Sequence, residues 1–277
     1  MLPMSVVMPI YHKVRPEQFH RAVESLRTQT WPADEIVIVC DGPIDPDIDS
    51  YLRSKAASDL TVVRLAENQG TAVGMQAGFD IARNRWVARQ DADDVSLPDR
   101  FEKQWPLVAT GEYAAVGGQM LEFERSPEDI VRSRTLPSEP EEIARYARRN
   151  SPINNPTAIC DRDAVVEVGG VHKVHLMEDY DLWVRLISAG YRLVAVDEPV
   201  VLFQADDGMF KRRTGREMAR AELVMQRNLV RYGMVSRSRA VVNFILRQGF
   251  RMLPQPLVRR VYAVLFDRPH RQIECNG

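Results

Sequence analysis

Cysteines and long apolar runs are scarce in this chain of 277 residues. Its three cysteines, Cys40, Cys160 and Cys275, are far apart and odd in number, with no CxxC pair and no metal-like spacing to histidine. This pattern gives no sign of a disulfide framework or a zinc site and is typical of the reducing cytoplasm. No uninterrupted apolar run approaches the roughly 18 to 20 residues of a membrane span, and no basic-then-apolar leader opens the chain. We therefore expect a cytoplasmic protein that does not cross the membrane.

An excess of charge of one sign is also missing, because the formal net charge is only −1. Residues 206–277 nevertheless hold 15 Lys and Arg against 6 Asp and Glu, which leaves 22 against 32 upstream. The two parts therefore face different partners. Arginines in the tail are interleaved with large apolar residues, a combination that suits an anionic membrane surface. A solvated basic helix, or packing of the tail on the main domain, is the alternative.

Apolar runs alternate with amphipathic segments through the first hundred residues. The pattern predicts strands at residues 4–11, 35–40, 61–65 and 86–90, separated by helices that include 16–29 and 71–83. Unbroken apolar strands separated by helices imply a parallel sheet covered on both faces, with ligands bound at the carboxyl ends of the strands. The fold class is therefore α/β.

The rest of the chain is less regular. It predicts strands at 114–123, 157–160 and 191–203, helices at 139–149, 161–168 and 180–189, and a loop at 151–156. Three helices follow, at 215–232, at 237–253 and from Pro256 to about 266. We expect a main domain over 1–205, with halves at 1–110 and 111–205, and a basic amphipathic helical region over 206–277.

Three carboxylates follow the predicted strand 86–90 within four residues, at Asp91, Asp93 and Asp94. Such a cluster repels itself unless a cation lies among its members. Mg²⁺ and Mn²⁺ prefer carboxylate oxygens and complete their shells with water and substrate phosphates. The cluster therefore indicates a metal-bound diphosphate, with a solvated acidic turn as the alternative. Asp41 follows another predicted strand, 35–40, so it is expected at the same edge of the sheet.

A further acidic pair, Glu178 and Asp179, directly precedes the predicted helix 180–189. Either carboxylate has the chemistry of a helix N-cap. Either also has the chemistry of a general base that deprotonates an acceptor hydroxyl.

Five segments in order resemble the motifs of the family 2 glycosyltransferases of GT-A fold. They are Ser5-Val-Val-Met-Pro-Ile-Tyr11, the strand ending at Asp41, Glu67-Asn68-Gln-Gly70, Gln90-Asp-Ala-Asp-Asp94 with Pro98-Asp-Arg100, and Met177-Glu-Asp-Tyr-Asp-Leu-Trp183. The resemblance implies a Rossmann-like, mostly parallel sheet with helices on both faces. The tail, from Phe210-Lys-Arg-Arg-Thr-Gly215 onward, resembles bacterial enzymes that build O-antigen, capsule and exopolysaccharide units on a polyprenyl-diphosphate lipid.

The same resemblance implies a role for each matching residue. Asp179 is the catalytic base, and Glu178 positions the acceptor or the base. Asp93 ligates Mn²⁺ or Mg²⁺ with help from Asp94. The nucleotide sugar is held by Pro9, Tyr11, Asp41, Asn68 and Asp91, together with Arg212 and Arg213, whose guanidinium groups suit bidentate phosphate contacts.

Two residues are candidates for the acceptor side. Asn155 stands where many relatives carry His, which puts any His-mediated contact in doubt. Trp183 either stacks on an acceptor sugar or packs the helix that follows the acidic pair.

The resemblance implies an inverting hexosyltransferase that takes a nucleotide sugar, with UDP the expected nucleotide, to a polyprenyl-diphosphate-linked saccharide. We expect it at the inner face of the plasma membrane, bound peripherally through its C-terminal helices. A sugar-phosphate nucleotidyltransferase is one alternative, although the segment Tyr11-His-Lys-Val-Arg-Pro16 lacks that class's glycine-rich loop. A non-catalytic membrane-surface module is the other. Nucleic acid is not expected as a partner, because the basic tail pairs arginine with aliphatic stripes and not with an aromatic platform.

Overall fold

The structure is a computed structural model that describes residues 2–54, 60–205 and 215–251, with only the backbone described for 250 and 251. Its strands are β1 (Leu2–Ile10), β2 (Ala33–Asp41), β3 (Leu60–Leu65), β4 (Trp86–Arg89), β5 (Val95–Ser96), β6 (Ala115–Phe123), β7 (Ile130–Arg134), β8 (Ile159–Asp161) and β9 (Leu193–Gln204). Its helices are α1 (Pro16–Arg27), α2 (Pro46–Ser54), α3 (Thr71–Ile81), α4 (Arg100–Ala109), α5 (Pro140–Ala147), α6 (Arg162–Glu167), α7 (Glu178–Ser188), α8 (Arg216–Arg231) and α9 (Arg237–Arg251).

All these strands belong to one sheet. Eight of them follow the order β3-β2-β1-β4-β8-β6-β9-β5, and β7 is not part of this order but also pairs with β6. The first four strands are parallel, as predicted. The second half is mixed, because β8 runs antiparallel to both β4 and β6 while β9 is parallel to β6. The two-residue β5 and the charged β7 were not predicted, since neither has an apolar run of strand length.

The strand predictions at β1 and β2 succeed because both faces of each strand are covered. Val6 and Met8 point into the core on the α1 side, where Phe19 packs, whereas Val7 points into the core under α3 with Phe79. Consecutive side chains of a strand leave opposite faces, so burial of both faces requires an unbroken apolar run. This arrangement confirms an α/β sheet with helices on both faces.

Helix α3 lies unusually close to β1. A Cβ added at Gly78 would lie 2.2 Å from Cγ1 of Val7, and one added at Gly74 would lie 3.1 Å from Cβ of Pro9. The glycines are four residues apart and so occupy one helix face. This close approach holds the start of α3, and the loop before it, near the end of β1. That loop belongs to the site described below.

Helices α8 and α9 lie where the sequence predicts the first two helices of the C-terminal region. Helix α8 packs on α7, with Met218 and Met225 against Tyr180 and Val184. Core packing, the alternative for the tail, therefore holds for α8. The third predicted helix lies outside the described residues.

None of the described helices is both apolar enough and long enough to cross a membrane.

We predict that Gly78→Ala destabilises the fold by about 1 to 3 kcal/mol, because Val7 is fully buried and β-branched and has no room to move. Gly249→Ala on α9 is the matched control, since nothing lies within 4 Å of its added Cβ. There the change should stabilise the helix by about 0.5 to 1 kcal/mol. Urea denaturation measures both. Equal effects of the two substitutions would contradict the close packing of α3 on β1.

Candidate active site

The predicted site residues of the first half gather at the carboxyl ends of the central parallel strands. β1 ends at Ile10, β2 at Asp41 and β4 at Arg89, and the acidic turn of Asp91 and Asp93 follows β4 directly. These strands are neighbours in the order β2-β1-β4. In open α/β sheets this edge is where ligands bind.

Asp41 shapes the loop between β3 and α3. Its Oδ1 accepts a hydrogen bond from the Gln69 amide at 2.7 Å, and its Oδ2 accepts one from the Gly70 amide at 2.8 Å. The Asn68 side chain donates to the Asp41 carbonyl at 3.3 Å. Gly42 has φ of +81°, and an added Cβ would lie 2.6 Å from the Asn68 nitrogen. Asp41 therefore holds this loop, and a contact with nucleotide stays a prediction.

Pro9 and Tyr11 lie on either side of the end of β1. Pro9 packs near Gly74 of α3. The Tyr11 side chain is 40% exposed, and its ring meets that of His12 edge to face at a centroid distance of 5.4 Å. An exposed aromatic ring at the ligand edge of the sheet is available for contact with a planar base.

The acidic turn after β4 is held from beneath by Arg100, which is fully buried. Its Nη1 donates to Gln90 Oε1 at 3.1 Å and to Ser96 Oγ at 2.9 Å, and its Nη2 donates to the Arg89 carbonyl at 2.9 Å. Burial lowers the pKa of Arg100 to about 9, although the charges of Asp94 and Asp91 oppose the shift. The protein therefore supplies a cation to the acidic turn from its own sequence.

Asp94 is buried within that turn and bonds to the far side of the sheet. Its Oδ1 accepts a hydrogen bond from the Gln204 amide at 2.9 Å, and its Oδ2 has no hydrogen-bond partner among the described residues. Burial, and then the charges of Asp93 and Asp91, raise the pKa of Asp94 well above its ordinary value. A buried carboxyl group bound to β9 does not reach a substrate, so the structure does not support the metal-ligand role predicted for Asp94. Asp93, in contrast, is partly exposed.

Arg89 joins the acidic turn to the second half of the chain. Its Nη2 and Nε donate to Asp91 Oδ1 at 2.7 and 3.1 Å. Burial acts to lower the pKa of Arg89, but the charges of Asp91, Glu178 and Asp179 outweigh it and the pKa is raised. Arg89, the partner of Asp91, also lines one cavity with Glu178 and Asp179, although about 85 residues separate the two acidic sites along the chain.

Helix α7 begins at Glu178, so Glu178 and Asp179 form part of its first turn, whereas the sequence predicts that they precede it. Met177 occupies the N-cap position, so neither carboxylate is the N-cap residue. Leu176, just before it, has φ of +61°, a left-handed conformation that costs a non-glycine residue about 1 to 3 kcal/mol and is common at functional sites. Burial and then the charge of Asp179 raise the pKa of Glu178. Glu178 therefore holds its proton to higher pH than an ordinary glutamate, and the role of Asp179 as the base stays a prediction.

The acceptor candidates lie beside this pair. The Asn155 amide, with its oxygen toward Arg89, accepts from Nη1 at 3.1 Å and from Nε at 3.3 Å. Trp183 is only 1% exposed and belongs to the core cluster on the α3 face of the sheet. A side chain buried to this degree packs the helix, so the structure does not support stacking on an acceptor sugar. Arg212 and Arg213 lie outside the described residues.

The site fits a divalent cation that is held mainly by substrate. Within the described ranges, no group of three or more Asp, Glu, His or Cys side chains converges as a metal cage. Mg²⁺ in nucleotide sites is commonly bound by only one or two carboxylates, with substrate phosphates and water completing the shell. Asp93 suits that arrangement, with Asp91 engaged by Arg89.

Sequence reasoning missed the two arginines that hold these acids. Self-repulsion of Asp91, Asp93 and Asp94 indicates a cation, but Arg89 and Arg100 already supply two. A signal was present, because Arg89 interrupts the apolar strand β4 and Arg100 lies in the Pro98-Asp-Arg100 motif. A buried strand with one arginine needs a carboxylate nearby.

Residues 5–168 match the family model described as "Glycosyl transferase family 2". The chain belongs to that family and is a glycosyltransferase. The nucleotidyltransferase and non-catalytic alternatives are therefore set aside.

Three relatives align with almost the whole chain. An uncharacterized glycosyltransferase of Haemophilus influenzae is 33% identical over 96% of this chain and 100% of its own. The amylovoran biosynthesis glycosyltransferase AmsE of Erwinia amylovora is 30% identical, over 93% and 97%. A UDP-Gal:alpha-D-GlcNAc-diphosphoundecaprenol beta-1,3-galactosyltransferase of Escherichia coli is 28% identical, over 95% and 96%. The resemblance to bacterial polysaccharide glycosyltransferases is thus confirmed.

Solved structures share the fold at low sequence identity. S. aureus TarS 1–349 in complex with UDP-GlcNAc has a TM-score of 0.66 at 15% identity, over 96% of this chain and 76% of that one. The mannosyltransferase PcManGT of Pyrobaculum calidifontis, in complex with GDP-Man and Mn²⁺, has a TM-score of 0.61 at 16% identity, over 95% and 80%. They confirm the GT-A fold.

We predict that Glu178→Gln stabilises the protein at pH 8 and that the gain shrinks toward pH 4. The pKa of Glu178 is raised in the fold, so its contribution to stability is full below the ordinary pKa and is lost as pH rises through the folded one. Glutamine never carries the buried charge. Thermal melts across this range measure the difference, with Glu124→Gln, at an exposed position, as the control for loss of one carboxylate. A Glu178→Gln variant that is less stable at pH 8 than at pH 4, relative to wild type, would contradict the buried charge.

Proposed function

We propose that this glycosyltransferase transfers a sugar, with inversion, from a UDP-sugar to a saccharide carried on a polyprenyl diphosphate. One observation carries the proposal: Arg89, which pairs with Asp91 at 2.7 Å, lines one cavity together with Glu178 and Asp179. Two sets of carboxylates on either side of one opening suit a reaction of two substrates, a donor and an acceptor.

Asp179 acts as the general base in this proposal. It takes the proton of an acceptor hydroxyl as that oxygen forms a bond to the anomeric carbon of the donor sugar. The bond from the same carbon to the diphosphate breaks, and its electron pair leaves with the nucleoside diphosphate. Attack from the face opposite the leaving group inverts the configuration, and no covalent bond to the enzyme is needed. A well-placed base contributes on the order of 10²- to 10⁴-fold in rate.

The donor is held at the ends of β1, β2 and β4. Tyr11 contacts the nucleotide base, Asp41 and the loop that it shapes form the ribose side, and Asp91 faces the nucleotide. Pro9 and Asn68 complete this wall. Arg212 and Arg213 are proposed to clamp a diphosphate, of the donor or of the lipid.

A divalent cation, Mn²⁺ or Mg²⁺, is proposed at Asp93. When bound, it neutralises charge that develops on the departing diphosphate. The solved Mn²⁺ complex of the Pyrobaculum mannosyltransferase supports this proposal for the fold.

The lipid-linked acceptor is proposed from two observations. The E. coli relative is named for an acceptor on diphosphoundecaprenol. The second observation is the construction of helix α9, whose polar side faces the protein. Asn243 donates to the Arg148 carbonyl at 2.9 Å, and Arg247 forms an ion pair of 2.8 Å with the fully buried Glu222.

The opposite side of α9 is apolar and faces outward. Val241, Val242, Ile245 and Leu246 are 58%, 45%, 62% and 65% exposed. A helix on the surface of a soluble protein normally has the reverse orientation. An exposed apolar stripe on a helix rich in arginine suits the interface of an anionic membrane, so we propose peripheral attachment to the inner face of the plasma membrane through α9 and the residues that follow it.

We predict that Val241→Ser, Ile245→Ser and Leu246→Ser together reduce flotation of the full chain with anionic liposomes several-fold, because about 0.8 kcal/mol is lost per CH₂ group withdrawn from lipid. Ile81→Ser with Val166→Ser, at exposed apolar positions of α3 and α6, is the matched control and should float like wild type. Light scattering distinguishes a second copy of the chain as the occupant of this face. Unchanged flotation of the triple variant, or a dimer that the triple variant dissociates, would overturn the membrane assignment.

We predict that Asp179→Asn lowers kcat by about 10²-fold or more, because an amide accepts no proton, while UDP binding is retained. Asp93→Ala should instead weaken metal-dependent binding of UDP and abolish transfer. Release of UDP from a panel of UDP-sugars with a synthetic sugar-diphosphate-lipid measures turnover, and calorimetry measures binding. Asp129→Asn, on an exposed turn, controls for loss of a carboxylate. Near-normal turnover in either site variant would refute the assignment.

A further inference from the structure

Arg89 contacts the carboxylate assigned to the donor side and shares a cavity with the pair assigned to the acceptor side. Its Nη2 lies 2.7 Å from Asp91, and Arg89 lines one cavity with Glu178 and Asp179, whose charges also act on its guanidinium. Its side chain is only 11% exposed. Because burial limits screening by water, interactions among these four charges are stronger than at the surface.

The position of Arg89 is fixed from several sides. Its amide donates to the Ala158 carbonyl at 2.9 Å, and its own carbonyl accepts from the buried Arg100 at 2.9 Å. Its Nη1 faces the Asn155 amide oxygen at 3.1 Å. A guanidinium held in this way presents its donors in a fixed direction.

We propose that Arg89 is a positioning residue of the transfer reaction, which aligns Asp91 with the Glu178–Asp179 pair and counters the repulsion among the three carboxylates. This role rests on the proposed function and adds to it a residue that couples the donor half to the acceptor half. In its absence, no protein cation in direct contact with Asp91 separates these acids within the described residues.

Among the described residues, the charged groups that act on Glu178 are Asp179, Arg89 and Asp91. The neutral Ser151 Oγ lies 3.4 Å from Asp179 Oδ2. Arg89 lowers the pKa of Glu178 against the effects of burial and of the neighbouring acids, so loss of the Arg89 charge should raise that pKa further. The pair should then bind its proton more tightly, and the acid limb of the rate profile should move to higher pH.

The chain offers a matched comparison in Arg85, just before β4. Its Nη2 pairs with Asp161 at 2.6 Å, and Asp161 is nearly buried. This ion pair also joins β4 to β8, but it lies at the opposite end of the strand from the acidic pair. If Arg89 only joins strands, its substitution should affect the pH dependence of the reaction no more than substitution of Arg85 does.

The test is the pH dependence of kcat/KM for wild type, Arg89→Met, Arg89→Lys and Arg85→Met, each checked for folding by its melting temperature. We expect the acid limb of Arg89→Met to move up by about one pH unit, so that activity falls about tenfold below the limb and recovers as pH rises. Arg89→Lys keeps a charge beside Asp91 and should leave the limb within a few tenths of a unit of wild type. Arg85→Met should leave it unchanged.

Each outcome decides the role of Arg89. A folded Arg89→Met variant with an unmoved limb would overturn the proposal and leave Arg89 as a fastening of β4. If Arg89→Met fails to fold, Arg89→Gln replaces it, because glutamine keeps an amide donor for Asp91. A shift of one pH unit in the acid limb of Arg89→Lys would also contradict the proposal. Absence of transfer by wild type refutes the proposed function itself, whereas transfer with an unmoved limb refutes only the role of Arg89.

Discussion

Two arginines buried beside a turn of aspartates are the interaction on which the site depends. Arg100 lies beneath the turn and bonds Gln90, Ser96 and the carbonyl of Arg89. Arg89 lies at its edge and pairs with Asp91. Burial of a guanidinium is costly unless its donors are satisfied and its charge is balanced. The acids therefore stabilise the arginines as much as the arginines stabilise the acids, and this mutual requirement fixes the loop before any substrate binds.

Because of this requirement, the three acids of the cluster have different partners. Asp94 turns inward to the Gln204 amide and ties the turn to β9. Asp91 pairs with Arg89, and Asp93 is partly exposed. Three acids that look alike in the sequence therefore differ in burial and in partners, and only the partly exposed Asp93 is proposed as a metal ligand.

The main fold was predictable because burial leaves a periodic signature. β1 and β2 are apolar at most of their buried positions, with Ser5 and Glu35 among the buried polar exceptions, and α1 places Phe19, Ala22, Val23 and Leu26 at helical spacing. β5 was not predicted because its two residues are too few to show the alternating pattern of a strand. β7 was not predicted because two of its five residues are arginines that interrupt the apolar pattern, and it pairs only with the second half of β6.

The site was predictable only in part, for a different reason. Asp41, Asp91 and the Glu178–Asp179 pair were found because each stands at the end of a recognisable element. The shared cavity of Arg89, Glu178 and Asp179 was not found, because it depends on how the tertiary packing brings α7 beside the end of β4. The burial of Trp183 and of Asp94 depends equally on tertiary packing, and no local pattern distinguishes a buried aspartate from its neighbours.

The central claim is that the acids form two sets with different work, one for the departing nucleotide and one for the acceptor hydroxyl. Anomalous diffraction from a crystal of the protein grown with UDP and Mn²⁺ tests it most directly. We expect a manganese peak bonded to Asp93 and to the diphosphate, with Glu178 and Asp179 free of metal. A manganese ion bonded to Glu178 or Asp179, with none at Asp93, would contradict it.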